Sequence, residues 1–332
     1  MTEPDRAGRG GRRSRGRSAL RWGGRFVGAV LGVLILAVGV LFLFPLGSDR
    51  LQHAQVRALS FDAAVAAGQQ EQTQDTADPQ VLPECRSRLL VHPNKTAKAV
   101  LMLHGYTSCP KDYSELAQLF YDRGYNVYVP REPHHGLQDV NRTSKVKADE
   151  LVGYADAGMD VVAGLGEEAG VIGLSGGGVL ATWLAEYRSD SVAHLLALAP
   201  FYQPDASQAP SFLIKPAIVL YGSGLVPDRR IGDTNFTLTG LSQYLRIVRN
   251  YRDDPVNAKL RSVAVAFSAK DPYIDQELAF RIPTKIAAAN EIQLRSKEFG
   301  PELNLPHNVV APGSLGAQAR PIEDLYFTLY EN

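Results

Sequence analysis

Apolar residues in this chain fall into short runs, separated by stretches in which apolar positions recur at helical spacing. Short apolar runs predict buried strands, and the longer spacing predicts amphipathic helices. The predicted strands are 88–92, 97–104, 126–130, 169–174, 194–199, 262–268 and 291–299. The predicted helices between and after them are 112–123, 145–164, 179–187 and 317–330. Alternating strands and helices predict an α/β fold with a mostly parallel, doubly wound sheet.

Two regions interrupt this alternation. The segment 201–255 separates two predicted strands and contains its own apolar stretches, so we interpret it as a helical cap insertion. Residues 47–84 are polar and uneven, with a Gln-rich stretch at 69–79 that has the composition of a linker. A short helix within 51–67 would make this region a stalk. The globular domain is therefore expected over 85–332.

The N-terminal part contains 21 consecutive uncharged residues, 26–46. About 20 apolar residues span a bilayer as a helix. A cleavable signal peptide is the alternative, but its apolar core is usually 7–15 residues long and is followed by small residues at the cleavage site. The sequence after this run, Gly47-Ser48-Asp49-Arg50, is a poor cleavage site. We therefore expect an uncleaved transmembrane signal anchor.

Charge is unevenly distributed although the formal net charge of the whole chain is zero. Residues 1–25 hold eight arginines and two acidic residues, which leaves 27 basic and 33 acidic residues in 26–332. Basic residues beside an apolar span stay on the cytoplasmic side. The sequence thus predicts a basic cytoplasmic tail, a single-pass anchor and an extracytoplasmic globular domain. The mildly acidic body offers no nucleic-acid-binding surface.

The pentapeptide Gly173-Leu174-Ser175-Gly176-Gly177 has the form G-x-S-x-G. It lies between a predicted strand and a predicted helix. A serine on a sharp strand-to-helix turn is the nucleophile elbow of serine hydrolases. Glycines flank it because the turn is strained and the strand and helix backbones approach closely there. Ser175 is therefore the candidate nucleophile.

A serine nucleophile needs a histidine base and a carboxylate to orient that base. In chains with this elbow, the order is serine, acid, histidine. Of the histidines after Ser175, His194 begins a strand at the wrong end of the sheet, and His307 lies in a loop after the last strand. His307 is the candidate base. Asp271 follows a predicted strand by three residues and is the candidate acid, with Asp275 as the alternative.

An oxyanion hole needs two backbone N–H groups directed at the developing negative charge. Gly176, directly after the candidate nucleophile, should supply one. The loop after the strand 97–104 should supply the other, with Tyr106 as the first candidate and Thr107 as the second. Thr107 is also a candidate substrate-binding residue. We interpret His104 as shaping this loop.

These segments together resemble the α/β-hydrolase superfamily, and in particular bacterial carboxylesterases and monoacylglycerol-lipase-like enzymes. The resemblance covers about 87–332 and rests on LMLHGYTSCP (101–110), GLSGG (173–177) and the loops of Asp271 and His307. The first motif of the family commonly reads L-H-G-F-T-G. Tyr106 here replaces the usual Phe, and Ser108 replaces the second Gly. The resemblance implies a serine hydrolase that acts through an acyl-enzyme.

The segment from Pro130 to Gly136 resembles the P-x-x-G-H-G segment of the same family, with His134 where Gly is usual. The resemblance implies that His135 helps to build the rim of the acyl pocket and binds substrate.

Cys85 and Cys109 are the two cysteines of the chain. A disulfide is permitted if the domain lies outside the cytoplasm. Two unpaired thiols are the alternative, because the sequence does not show whether the two Cα atoms come within reach. No Cys/His cluster has the spacing of metal ligands, and we expect neither a metal nor another cofactor.

We therefore expect a membrane-anchored hydrolase of carboxylic esters, with a small or lipid-like ester as substrate. Acyl transfer or thioester cleavage in the cell envelope would use the same residues. A catalytically silent domain that serves as a binding module is the alternative from another class.

Overall fold

The computed structural model describes residues 14–232 and 234–332, and within these residues strands and helices alternate as the sequence predicts. The strands are β1 Arg88–Leu90, β2 Thr96–Leu103, β3 Asn126–Val129, β4 Gly166–Leu174, β5 Val192–Leu198, β6 Ser262–Ser268 and β7 Arg295–Phe299. The helices are α1 Ser14–Leu43, α2 Asp49–Gln52, α3 Phe61–Ala77, α4 Ser114–Asp122, α5 Ala148–Leu165, α6 Gly176–Tyr187, α7 Ser211–Ala217, α8 Leu238–Val248, α9 Gln276–Ala289, α10 Pro312–Leu315 and α11 Ala319–Glu331.

Among the described residues, seven strands form one sheet in the order β1-β3-β2-β4-β5-β6-β7. β1 runs antiparallel to β3, and the other neighbouring pairs are parallel. Every residue of β5 and of β6 is buried. Since successive side chains of a strand point to opposite faces, both faces of the sheet are covered there. The prediction of a mostly parallel, doubly wound α/β sheet is confirmed.

The chain divides into two units, Met1–Pro45 and Leu46–Asn332. In the first unit, α1 contains the stretch Phe26–Leu43, whose mean hydropathy is 2.9. Of the helices within the described residues, α1 is the one long and apolar enough to cross a membrane. Residues 1–13 of the expected basic tail, 1–25, lie outside the described residues, and the rest of the tail belongs to α1.

The region 47–84 is not the linker that its composition suggested. Its Gln-rich part continues the helix α3 to Ala77, and α3 packs against α5. The contact is close because small residues meet: a Cβ on Gly164 of α5 would lie 2.7 Å from the Cβ of Ala64. Most of the polar residues that resemble a linker are exposed on α3, whereas Asp75 is buried and forms an ion pair with Arg131. The globular unit thus begins at Leu46, well before the expected residue 85.

Buried ion pairs fasten the start of this unit to its core. Asp156 of α5 is 1% exposed and binds the guanidinium groups of Arg50 and Arg188. Its Oδ2 also accepts a 2.7 Å hydrogen bond from the backbone N–H of Gln55. The carbonyl of Leu51 accepts a hydrogen bond from Trp183 Nε1. Paired, hydrogen-bonded charges of this kind are costly to break.

The insertion between β5 and β6 contains α7, a π-helical turn at Ile218–Gly222, and α8. Gln243 of α8 joins these elements to the body. Its side-chain oxygen accepts from the backbone N–H of Ala148, and its amide donates to the carbonyl of Gly222. The hydroxyl of Tyr251 donates to the carbonyl of Val179 in α6. The insertion is therefore held against the helices on either side of the elbow.

We predict that Leu51→Ala destabilises the protein by about 2–5 kcal/mol, because a fully buried leucine is truncated. Urea unfolding of the full-length protein in detergent, followed by tryptophan fluorescence, measures the loss. Val56→Ala, at a position that is 54% exposed, is the control and should change the free energy of unfolding by less than about 0.5 kcal/mol. If Leu51→Ala were as silent as Val56→Ala, the region 47–84 would behave as a linker after all.

Candidate active site

The turn at Ser175 connects β4 to α6 in a backbone conformation that side-chain-bearing residues rarely adopt. Ser175 has φ 54° and ψ −112°. Its N–H donates to the carbonyl of Leu198, and its carbonyl accepts from the N–H groups of Val179 and Phe201. These bonds fix the turn from the neighbouring strand, the following helix and the start of the insertion.

Two glycines make this turn possible. A Cβ on Gly177 would lie 2.1 Å from the carbonyl oxygen of Leu103, and one on Gly173 would lie 2.1 Å from the carbonyl oxygen of Gly177. Both distances are far below van der Waals contact. Any side chain at either position would therefore push apart the strand, the helix and the loop after β2.

The structure brings Ser175, His307 and Asp271 together. The Ser175 Oγ lies 2.8 Å from His307 Nε2, and the Asp271 Oδ2 lies 2.6 Å from His307 Nδ1. Asp271 can only accept a hydrogen bond when ionised, so the proton on the imidazole sits on Nδ1 and Nε2 accepts from the serine hydroxyl. The three side chains thus have the relative positions of a nucleophile, a base and an orienting carboxylate.

Asp271 is held by the turn in which it lies. Its other carboxylate oxygen, Oδ1, accepts a 2.9 Å hydrogen bond from the backbone N–H of Tyr273. The alternative acid, Asp275, has a different role. Its Oδ1 accepts from the N–H of Leu278, which makes it the N-cap of α9.

The loop after β2 runs directly against the nucleophile. A Cβ on Gly105 would lie 3.2 Å from the Cβ of Ser175. Tyr106 follows in this loop, and Gly176 opens α6, whose first N–H groups have no partner within the helix. The ring of Tyr106 reaches into the insertion, where its hydroxyl lies 3.1 Å from the hydroxyl oxygen of Thr237. The hydroxyl that distinguishes Tyr106 from Phe thus contacts the N-cap residue of α8.

Cys85 and Cys109 form a disulfide with an S–S distance of 2.06 Å and a Cα–Cα distance of 5.2 Å. The bond joins the loop that carries Tyr106 to the segment before β1. Gly136 lies against this disulfide with φ +63°, and a Cβ there would lie 2.5 Å from the Cβ of Cys85. Only glycine satisfies both the left-handed φ and the close approach.

His135 does not lie where the resemblance implied. Its side chain is fully buried, and its ring packs edge-on against the rings of His104 and Tyr106. The prediction that His135 lines the substrate site is wrong, because the turn directs this side chain into the body. The neighbouring His134, at φ 65°, lies in the cavity wall instead. Thr107 also lies in that wall.

A buried carboxyl group next to the site was not predicted from the sequence. Glu132 is fully buried, and its carboxyl accepts a hydrogen bond from the hydroxyl of Tyr244 in α8. The Glu132 N–H donates to His104 Nε2 at 3.0 Å, and His104 Nδ1 donates to the carbonyl of Gly105. Burial lowers the pKa of His104 to about 4, so this ring is a neutral part of the loop. The ring of Tyr244 packs on Gly176. A Cβ on Gly176 would lie 2.7 Å from the ring atom Cε1 of Tyr244.

A second set of polar contacts joins the loops of Tyr106 and His307. Asp112 accepts from the hydroxyl of Ser108 and, at 2.7 Å, from the side-chain amide of Asn308. The side-chain oxygen of Asn308 accepts from the N–H groups of Val310 and Ala311. The residue next to His307 is therefore fixed on both sides.

Within 14–232 and 234–332, two cavities open onto Ser175 and His307. The larger, of about 440 Å³, extends along the loop of Tyr106 and past Pro306 and Asn308. The smaller, of about 60 Å³, extends under the insertion past Gly176. Both walls include Tyr106, Phe236 and Tyr273, in addition to Ser175 and His307.

Comparisons with known proteins identify the family to which the chain belongs. A profile of the family described as "Serine aminopeptidase, S33" matches residues 94–290, more than half of the chain. The chain therefore belongs to this family of α/β-hydrolases, and it is a hydrolase.

A stretch of 93 residues is 33% identical to the thermostable monoacylglycerol lipase of Bacillus sp. (strain H-257). This stretch is 27% of the chain and spans about a third, 36%, of that lipase. The fold is similar to a structure reported for LipS and LipT, two metagenome-derived lipolytic enzymes (TM-score 0.56, 17% identity, 75% of this chain and 98% of that one). It is also similar to the monoacylglycerol lipase of Paleococcus ferrophilus (TM-score 0.52, 18% identity, 73% and 98%).

We predict that Glu132→Gln makes the folded protein less sensitive to pH. Burial raises the pKa of the Glu132 carboxyl from 4.5 to about 8. Between these values the folded state holds a proton that the unfolded state has lost, so wild-type stability falls as pH rises. The glutamine keeps an oxygen for the Tyr244 hydroxyl and has no proton to lose.

Urea unfolding of both proteins between pH 4.5 and 8 measures this effect. The stability of the variant relative to the wild type should rise with pH, at up to about 1.4 kcal/mol per pH unit. The comparison at pH 4.5 serves as the internal reference. A difference that stays constant over the range would show that Glu132 is ionised in the folded protein.

Proposed function

We propose that this protein is a membrane-anchored serine hydrolase that cleaves carboxylic esters through the triad Ser175, His307 and Asp271. The observation that carries the proposal is the continuous chain of hydrogen bonds from the Ser175 hydroxyl through the imidazole to the Asp271 carboxylate, at 2.8 and 2.6 Å. Ser175 and His307 border two cavities, so an ester carbonyl can reach Ser175 with room for its acyl and alcohol parts.

The mechanism follows from this geometry. His307 Nε2 takes the proton of Ser175 as its Oγ attacks the carbonyl carbon. The oxyanion that forms accepts hydrogen bonds from the N–H groups of Gly176 and Tyr106. The imidazolium then donates its proton to the leaving alkoxide, and the acyl-enzyme remains. Water, deprotonated by His307, releases the acid by the same steps, while Asp271 stabilises the imidazolium.

The anchor is the second part of the proposal. The stretch Phe26–Leu43 has the length and hydropathy of a transmembrane helix, and arginines precede it in the sequence. This order favours a cytoplasmic N-terminus. The disulfide favours an oxidising compartment for the globular unit. We therefore propose a single-pass protein whose catalytic unit lies outside the cytoplasm.

We predict that a fluorophosphonate probe labels wild-type protein at Ser175, and that Ser175→Ala is neither labelled nor active. Its kcat for p-nitrophenyl butyrate should fall by at least about 10³-fold, because alanine has no hydroxyl oxygen to attack the ester carbonyl. Ser207→Ala, at an exposed serine, is the matched control and should retain both labelling and activity. A wild-type protein that resists the probe would favour a binding module over an enzyme.

We predict that alkaline phosphatase fused after Asn332 is active in cells, because this reporter folds only in an oxidising compartment. Fusion at the C-terminus leaves the whole globular unit, which begins at Leu46, intact. A fluorescent protein that matures only in the cytoplasm should be dark at the same position. The opposite pair of results would place the catalytic unit in the cytoplasm and contradict the proposed topology.

Mass analysis of the membrane-bound protein shows whether residues 1–25 are retained, as an uncleaved anchor requires.

A further inference from the structure

The two cavities at Ser175 differ sharply in size and in chemistry. The smaller one is lined by aromatic and aliphatic side chains, among them Phe201, Phe236, Leu241 and Tyr244. The larger one has about seven times its volume and combines an apolar wall with polar and charged side chains. An ester placed on Ser175 must put its acyl part in one cavity and its alcohol part in the other.

The smaller cavity suits an acyl chain, because its lining is mainly apolar and holds no Asp, Glu, Lys or Arg among the described residues. Such a lining stabilises hydrocarbon and offers little to a polar alcohol. Its volume of about 60 Å³ limits the length of that chain. This is about a seventh of the volume of the larger cavity, so the acyl chain that it holds is short.

The larger cavity suits the alcohol part. Three consecutive residues, Pro306 to Asn308, lie along it, so a group bound there passes beside the imidazole that must protonate the leaving oxygen. Only His307 of these three borders the smaller cavity. The departing alkoxide and its proton donor thus meet on the side of the larger cavity.

The wall of the larger cavity offers hydrogen bonds of both kinds. Glu84 and Asp112 supply acceptors, Lys111 supplies donors, and Thr107 supplies a hydroxyl. Because positive and negative groups share the wall, it gives no strong preference for an alcohol of large net charge. Leu82, Leu137 and Val140 form an apolar part of the same wall. Hydroxyl groups on a carbon skeleton match this mixture better than a plain alkyl chain does.

We propose that the preferred substrate is a short-chain acyl ester of a bulky, neutral polyhydroxy alcohol, such as a carbohydrate. The short acyl group occupies the small cavity under the insertion, and the polyhydroxy part occupies the large cavity beside His307. This inference rests on the proposed ester hydrolase function and adds the two parts of its substrate. In the reaction, the bond between the acyl carbon and the alkoxide oxygen breaks, that oxygen takes the proton from His307, and water supplies the hydroxyl of the released acid.

Two series of substrates test the inference with the full-length protein in detergent. In the first, methyl esters vary in the acyl chain from acetate to laurate. In the second, butyrate is fixed and the alcohol is methanol, hexanol or glucose esterified at its primary hydroxyl. For the wild type, kcat/KM should be highest for a short acyl chain, within the range from acetate to hexanoate, and at least tenfold lower for laurate. Glucose butyrate should be hydrolysed at least tenfold more efficiently than hexyl butyrate.

One substitution in each cavity separates the two assignments. Leu241→Ala enlarges the small cavity and should raise the ratio of kcat/KM for methyl octanoate over methyl butyrate by about tenfold. Leu245→Ala, on the same helix but outside both cavity walls, is its control and should leave that ratio unchanged. Val140→Trp narrows the large cavity and should lower the ratio for glucose butyrate over methyl butyrate by at least tenfold. Val256→Trp, at a position of similar exposure (47% against 45% for Val140), is its control.

Labelling of Ser175 by a fluorophosphonate in every variant shows that each protein is folded and has a reactive serine. If labelling and methyl ester hydrolysis are intact but laurate is preferred, the substrate assignment is overturned and the hydrolase function stands. The same holds if Val140→Trp changes selectivity for the acyl chain and not for the alcohol. If Ser175 is not labelled in the wild type, the proposed function itself fails.

Discussion

The strained backbone of Ser175 is the constraint on which the rest of the site depends. A residue with a side chain at φ 54° and ψ −112° costs about 1–3 kcal/mol, so the surrounding structure must enforce this conformation. The backbone hydrogen bonds of Ser175 enforce it, together with the close contact of Gly177 with the carbonyl of Leu103, which joins α6 to the end of β2. That contact sets where the serine hydroxyl, the Gly176 N–H and the loop of Tyr106 lie relative to each other. Asp271 lies in the loop after β6 and His307 in the loop after β7, and both side chains are placed next to a serine whose position is already determined.

A second group of contacts connects this rigid centre to the walls of the substrate site. Tyr244 packs on Gly176 and donates to the buried Glu132, so one side chain of the insertion contacts both the oxyanion region and the loop after β3. Tyr106 makes a parallel link to Thr237. A buried carboxyl whose pKa is raised to about 8 is stable in its protonated form, which avoids the cost of a buried charge near the nucleophile. The insertion is thereby part of the site, and its aromatic residue Phe236 contributes to the walls of both cavities.

The sequence predicted the sheet and the order of its elements because buried strands leave strong local patterns. It also singled out Ser175, Asp271 and His307, since chain order and strand ends leave few alternatives. The structure places these three within hydrogen-bond distance, and their catalytic roles stay a proposal.

The features that the sequence did not predict share one cause. The helical region 61–77, the burial of Glu132 and the inward direction of His135 depend on which distant residues pack there, and small or polar residues carry no sign of that in the local pattern. Asp275 had the right spacing for an acid, and only the start of α9 shows it to be a helix cap.

The segment before β1 also contributes to the candidate active site. Its composition suggested a linker, yet Leu82, Glu84 and Cys85 form part of the wall of the larger cavity. The disulfide to Cys109 then fixes that wall to the loop of Tyr106. Through α2 and α3, the same segment is held to α5 by Asp156 and by the contact of Ala64 with Gly164. Part of the wall of the larger cavity is therefore built by a region that the core strands do not include, so the shape of this cavity can differ from that in other α/β-hydrolases while the geometry at Ser175 stays the same.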